Sequence, residues 1–280
     1  MTADKLRTLL DGDELIVAPG VYDGISASVV GRLGFRAAYM TGAGVAAAGY
    51  GLPDIGLVTL TEMTDRARML ARVLDDIPLI ADADTGYGSP VNAARTVTEY
   101  ERAGVAAIQL EDQTFPKRCG HLTGKEVVEA DDFARTLDAA LTARTDALIV
   151  ARTDVLSLHG VDAAIARAQR YVAIGADLIF VEAPSTIAEI EQIAAEVDAP
   201  LLLNLVPGGR TPDPGAARLT ELGYRMTIHP GAALRAVADA TITALGELAG
   251  VTEPDHSAAG LRGFFELFDL ARWNAIGAPQ

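Results

Sequence analysis

Apolar residues along this chain fall into two alternating patterns. Short runs that are apolar at nearly every position are followed by longer stretches with apolar residues three and four apart. The first pattern reads as strand, the second as a helix packed on it. Strands are predicted at Glu14–Ala18, Arg36–Met40, Pro78–Asp82, Ala106–Glu111, Ala147–Ala151, Leu178–Glu182, Pro200–Asn204 and Arg225–Ile228. Helices are predicted at Thr61–Leu74, Val91–Ala103, Asp131–Ala143, Val161–Ala173 and Ile187–Val197. A run such as Ala147–Ala151 has no polar face, as a parallel strand covered by helices requires. Gly34, Gly104, Gly175 and Gly223 each follow a helical stretch and precede a strand, where left-handed backbone ends a helix. The first three recur at about 70 residues, the length of two strand–helix units in a barrel of eight.

This pattern predicts an α/β fold, a (β/α)8 TIM barrel, with a doubly wound open sheet as the alternative. No Ser/Gly/Pro-rich linker divides the chain, so residues 1–280 read as one domain. After the eighth strand come a helix at Gly231–Ala249, a turn at Glu253-Pro254-Asp255, and one amphipathic segment at Leu261–Trp273. That segment gathers Phe264, Phe265, Phe268 and Trp273. Residues 250–280 are therefore expected to be a helical tail that packs on apolar surface, of this barrel or of a neighbour.

Composition narrows the functional classes. Half the residues are hydrophobic and only 5% aromatic, so the core is aliphatic. The net charge of −15 argues against non-specific nucleic-acid binding, which needs cations against phosphates. A single cysteine, Cys119, excludes an internal disulfide. The first residues lack a basic start and an apolar stretch, and no run of about 18 apolar residues appears. A soluble cytoplasmic protein without membrane or nucleic-acid partners is expected.

Chemistry collects at the carboxyl ends of the predicted strands, where a barrel places its active site. Strand three ends in Asp82-Ala83-Asp84, strand four in Glu111, strand five in Arg152, strand six in Glu182 and strand seven in Asn204. Asp82, Asp84 and Glu111 make a hard oxygen set suited to Mg2+ or Mn2+. In Lys117-Arg118-Cys119-Gly120-His121 two cations precede the thiol, surroundings that lower a cysteine pKa, though a lone buried thiol in a basic surface loop explains the pattern equally well. Gly42 and Gly44 would let backbone N–H groups approach an anion, though a tight turn explains them equally well. Asp54 is open to both readings.

Taken in order, Val21-Tyr22-Asp23-Gly24-Ile25-Ser26-Ala27, Met40-Thr41-Gly42-Ala43-Gly44, Gly51-Leu52-Pro53-Asp54, Asp82–Gly88, Glu111-Asp112-Gln113 and Lys117–His121 form a series. Together with Ala151–Asp154, Glu182-Ala183 and Asn204, it resembles the isocitrate lyase/phosphoenolpyruvate mutase superfamily across residues 15–235. The resemblance implies a barrel whose last helix is exchanged between subunits, as a homotetramer built from helix-swapped dimers. It implies a metal held by Asp82 directly and by Asp84 and Glu111 through water. Substrate-binding roles carry over to Tyr39, Thr41, Gly42, Ala43, Asp82, Arg152, Glu182 and Asn204. Catalytic roles carry over to Cys119, Lys117, His121, Asp54 and Arg152. The loop sequence is similar to that of the carbon–carbon lyases of the superfamily. The implied activity is Mg-dependent cleavage of a 2-hydroxy di- or tricarboxylate, of the 2-methylisocitrate or alkylmalate type, to an α-keto acid and a carboxylic acid. Phosphonomutase chemistry, of the phosphoenolpyruvate or carboxyphosphonoenolpyruvate type, and oxaloacetate hydrolysis or decarboxylation are the alternatives. Leu122, Phe180, Leu205 and His229 are expected to set the size of the substrate pocket.

Overall fold

Eight strands pair in parallel, each with the next: β1 Ile16–Val21, β2 Ala38–Met40, β3 Leu79–Asp82, β4 Ala107–Glu111, β5 Leu148–Thr153, β6 Leu178–Val181, β7 Leu201–Asn204 and β8 Tyr224–His229. β8 returns to pair with β1, setting Ile16 beside Met226, and the sheet closes into a barrel. That closing ladder excludes the open sheet. The chain is described by a computed structural model covering residues 2–118, 120, 124–253, 255–256 and 261–277.

Helices between the strands cover the barrel for the reason the sequence indicated. The helix Leu60–Leu74 buries Met63, Ala67, Leu70 and Leu74, one stripe at helical spacing, and a Thr59–Glu62 capping box fixes its start. Pro90–Ala103 begins with proline in its first turn and ends at Gly104, whose φ of +92° requires glycine. Apolar residues sort into two layers. One lies between strands and helices; the other fills the barrel with Ile16, Ala18, Tyr39, Ile80, Val150, Phe180, Leu202, Met226 and Ile228. A helix at Thr2–Asp11, absent from the sequence reading, adds Ala3, Leu6 and Leu10 to the interior layer and plugs the amino-terminal end of the barrel.

Most strand ends shift by one or two residues, and three differences shape the architecture. β1 runs on through Pro19 and Gly20, past the expected end at Ala18. A Cβ on Gly20 would sit 2.3 Å from the Pro230 carbonyl oxygen, so glycine is what lets β1 pass this loop. β5 extends to Thr153, which puts Arg152 in the ladder opposite Glu111 and Phe180. The expected single segment Leu261–Trp273 is two helices, Leu261–Glu266 and Leu270–Gly277. The chain turns between them at Asp269, which adopts a φ of +55°. This break lets Phe264 and Phe265 be buried on one side and Leu270 on the other.

Candidate active site

Strand parity builds the site. Side chains alternate across a strand, so a residue two beyond an inward apolar one also faces the barrel axis. Ile80 is thus followed by Asp82, Ala107 by Gln109 and Glu111, and Val150 by Arg152. Phe180 is followed by Glu182, and Leu202 by Asn204. Each strand is apolar through the core and polar where it emerges, and a cleft of about 740 Å3 opens over the polar ends.

Tyr39, Thr41, Ala43, Asp54, Asp82, Lys117, Arg152, Glu182 and Asn204, all named as candidates above, line that cleft together. Asp82 is held by three donors. Its Oδ1 accepts from the Asp84 N–H at 3.1 Å and the Gln109 amide at 3.3 Å, and its Oδ2 accepts from the Gly42 N–H at 3.3 Å. Gln109 is itself fixed by the Tyr39 hydroxyl, which donates to it at 2.9 Å. Gly42 supports Asp82 from the start of the short helix Gly42–Val45, capped by Thr41, whose hydroxyl accepts from the Gly44 N–H. A Cβ at Gly42 would lie 2.7 Å from Asp82 Oδ2, so only glycine brings this N–H so close.

Charge is concentrated in this lining and just behind it. Lys117, 4% exposed, donates to Asp54 and lies 2.7 Å from Asp84 Oδ1. Burial would lower its pKa, but Asp54, Asp84, Glu111 and Asp82 hold it well above the ordinary value. Asp84 is pushed up to about 6 by burial, with Asp82 and Asp54 adding to the shift and Lys117 opposing it. Burial also lifts Glu111 well above the usual carboxylate range, against the pull of Arg152 3.2 Å away. Arg152 forms two hydrogen bonds to Asp154, 2.8 and 3.1 Å, and its guanidinium lies 5.1 Å from the centre of the Phe180 ring. The Asn204 amide donates to Glu182 at 3.3 Å.

Asp84 and Glu111 stand behind the cleft, engaged by Lys117 and Arg152. Among the described residues no three carboxylate, imidazole or thiol side chains surround a common point, so these acids form no direct three-ligand cage. The donor chemistry nonetheless fits a hard divalent cation. Seven carboxylates and only three cations are buried among the described residues, and Glu111 Oε1 is buried without a hydrogen-bond donor. Such an ion would discharge acids that burial otherwise drives toward protonation.

Cys119, His121 and Leu122 lie outside the described residues. The expected pocket wall needs correction. Phe180 lines the cleft, but Leu205 and His229 do not. Each follows an inward residue, Asn204 or Ile228, and one step along a strand turns the side chain to the other face. His229 instead meets the Thr227 hydroxyl at 3.3 Å, and burial lowers its pKa. The apolar side of the cleft comes from Val206, Leu234, Phe264 and Phe265, none assigned to it from sequence. Gln109 was missed too, although its parity with Asp82 and Glu111 is legible in the strand. Lys125 and Asp154 carried no such signal, because they meet only across 29 residues of chain.

A family model described as phosphoenolpyruvate phosphomutase matches residues 6–249. The chain is 45% identical to a 2,3-dimethylmalate lyase of Eubacterium barkeri, over 83% of this chain and 81% of that protein. It is 43% identical to a probable 2-methylisocitrate lyase 2 of Corynebacterium glutamicum, over 98% of this chain and 89% of that one. A crystal structure of 2,3-dimethylmalate lyase, a PEP mutase/isocitrate lyase superfamily member, superposes with a TM-score of 0.87 at 40% identity, covering 99% of this chain and 94% of the other. A phosphonopyruvate hydrolase solved with oxalate and Mg2+ superposes at 0.77 and 30% identity, covering 99% and 98%.

Proposed function

The chain belongs to the phosphoenolpyruvate phosphomutase family, within the PEP mutase/isocitrate lyase superfamily, and from that premise we propose that it is a carbon–carbon lyase. Its substrate in this reading is an alkyl-substituted 2-hydroxy di- or tricarboxylate, split at C2–C3 into an α-keto acid and a carboxylic acid. The observation that carries the reading is the two-sided cleft. Asp82, Arg152, Glu182 and Asn204 offer charge and hydrogen bonds to carboxylates, while Val206, Leu234, Phe264 and Phe265 offer apolar surface to an alkyl group.

Mg2+, or Mn2+ in its place, would be held by Asp82 directly and by Asp84 and Glu111 through water. When bound, the cation supplies positive charge against the carboxylate and 2-hydroxyl oxygens and so makes the hydroxyl proton easier to remove. The rest of the chemistry falls to the chain. A base takes the hydroxyl proton, and the O–H electron pair left on oxygen becomes the second C2–O bond of the keto group. The C2–C3 electron pair moves onto the departing carboxylate, which becomes an enediolate. Arg152, kept charged by Asp154 and Glu111, faces that growing negative charge from a buried position. Lys117 and Asp54, paired at the cleft, orient the substrate oxygens. Gly42, a candidate substrate-binding residue, also holds Asp82 in place through its N–H. We assign the proton delivered to C3 to Cys119 and a supporting role toward the enediolate to His121. Gly120, the residue between them, lies against Arg152 and Glu182.

Residues 1–280 act as one domain with 250–280 as its tail, cytoplasmic, and assembled from helix-exchanging dimers. The helix Ala232–Leu248 supports this assembly. Of its 17 residues only Leu234 is buried, while Val237, Leu245 and Leu248 are exposed.

Keto-acid release tests the reading, with malate, 2-methylmalate, 2,3-dimethylmalate, isocitrate, 2-methylisocitrate and oxaloacetate offered in turn. Release from alkylmalates or 2-methylisocitrate is expected, and Cys119→Ser should lower it at least 100-fold. Silence across that panel, with phosphonopyruvate giving a moved P–C resonance by phosphorus NMR, would replace the reading with phosphonomutase chemistry.

A further inference from the structure

Lys125 has no part in the chemistry above and does not line the cleft. Its ammonium is nevertheless buried, with 6% of the residue exposed, and it spends two of its donors on specific partners. One is the backbone carbonyl of Gly120 at 2.7 Å; the other is Asp154 Oδ1 at 2.8 Å. The same Asp154 carboxylate binds Arg152 through both oxygens. Asp154 is fixed in turn, because its backbone N–H donates to Asp112 at 2.9 Å. Asp112 is pinned by Thr153, Arg167 and Tyr171 at 2.7, 2.9 and 3.0 Å. A buried ion pair gains little net stability, since desolvating both charges offsets their attraction. What such a pair can fix is geometry.

That geometry is tight at Gly120. A Cβ there would lie 2.5 Å from Arg152 Nη2 and 2.7 Å from Glu182 Cδ, so its backbone presses on both cleft residues. We propose that Lys125 is a positioning residue: it ties the Gly120 carbonyl to Asp154, and so sets Arg152 and this stretch of backbone together at the cleft. The proposal rests on the lyase reading for its effect on turnover, but the tie itself does not. Lys125 also shares Asp154 with Arg152, which leaves the second guanidinium edge turned toward Glu111 and Glu182. Without the lysine, Arg152 would be the only cation left on Asp154 among the described residues, and the Gly120 carbonyl would lose the ammonium as donor.

Two readouts on Lys125→Met and Lys125→Gln test this. The first needs no substrate: trypsin cleavage after Lys117, a residue buried in the folded chain and eight positions before Lys125. The tie predicts at least tenfold faster cleavage there, with cleavage elsewhere in the barrel and the thermal midpoint nearly unchanged. The second is turnover of an alkylmalate, with kcat falling at least tenfold and KM moving less than threefold. Lys125→Gln keeps one donor for Gly120, so its cleavage rate should fall between methionine and wild type. Cleavage and kcat within twofold of wild type would overturn the proposal. So would uniformly faster cleavage at every site, which would make the lysine a general support of the fold. Accelerated cleavage after Lys117 in a protein that turns over no hydroxy acid would leave the tie standing and remove the lyase reading.

Discussion

In the proposed metal site, Asp84 would hold either a proton or a hydrated divalent cation. Burial, with Asp82 and Asp54 nearby, holds its pKa at about 6 against an ordinary 3.8, so the folded chain binds this proton more tightly than the unfolded one. The sign is the reverse of the usual salt-bridged carboxylate. Stability contributed by Asp84 is fully present below about 3.8 and is lost as pH rises through about 6. Glu111, raised well above its ordinary value, acts in the same direction. Thermal midpoints of the metal-free protein should therefore fall between pH 4 and 6, and millimolar Mg2+ or Mn2+ should flatten that fall. A midpoint that climbs through this window without metal would contradict the assignment. Phe265, 3% exposed and on the apolar side of the cleft, gives a second expectation. Phe265→Ala should cut the preference for 2,3-dimethylmalate over malate at least tenfold in kcat/KM, since a pocket resolves alkyl groups by about 1–3 kcal/mol each. At this scale the sequence was legible wherever strand phase was. Asp82, Arg152, Glu182 and Asn204, read from their positions at strand ends, are in phase with the barrel interior, whereas His229 and Leu205, read from similar positions, lie one step out of phase.

Elements were legible where periodicity ran long. The helices Leu60–Leu74, Pro90–Ala103 and Ala130–Ala143 begin within one residue of the expected starts and end where expected. The helix Thr2–Asp11 escaped because its apolar stripe is only Ala3, Leu6 and Leu10, and its partner surface, the open end of the barrel, exists only after closure. That dependence makes it a sensitive position. Leu6 is fully buried, and Leu6→Ala should destabilise the chain by about 2–5 kcal/mol, read from urea unfolding. A loss below about 0.5 kcal/mol, the scale of a surface substitution, would mean that the plug does not hold the barrel end closed. The tail was half legible: its aromatic content marked a packing surface, but the break at Asp269 depends on where Phe264, Phe265 and Leu270 find room.

On the scale of the whole molecule, closure of β8 on β1 converts eight separate strand ends into one mouth, and distance along the chain ceases to matter there. Repeating strand–helix punctuation made a barrel the first expectation, and the β8–β1 ladder decides it against the open sheet. The helix Ala232–Leu248 is the exception to the wrapping. It buries only Leu234 and leaves Val237, Leu245 and Leu248 in solvent, whereas Leu60–Leu74, shorter by two residues, buries five. A second copy covering that face is the proposed resolution, and light scattering should give a multiple of the 29.3 kDa chain mass. Leu245→Asp together with Val237→Asp should lower that mass. A wild-type monomer at micromolar concentration would refute the assembly.

The account as a whole depends on a divalent cation at Asp82 enabling C2–C3 cleavage. Its most direct test is product analysis by carbon NMR, with 13C-labelled 2,3-dimethylmalate incubated with wild-type protein and with Asp82→Asn, each in Mg2+ and in excess chelator. The account predicts equimolar keto acid and carboxylic acid from wild type in Mg2+ alone, and none from the variant or the chelated enzyme. Equal yields with and without the ion, or undiminished cleavage by Asp82→Asn, would contradict it.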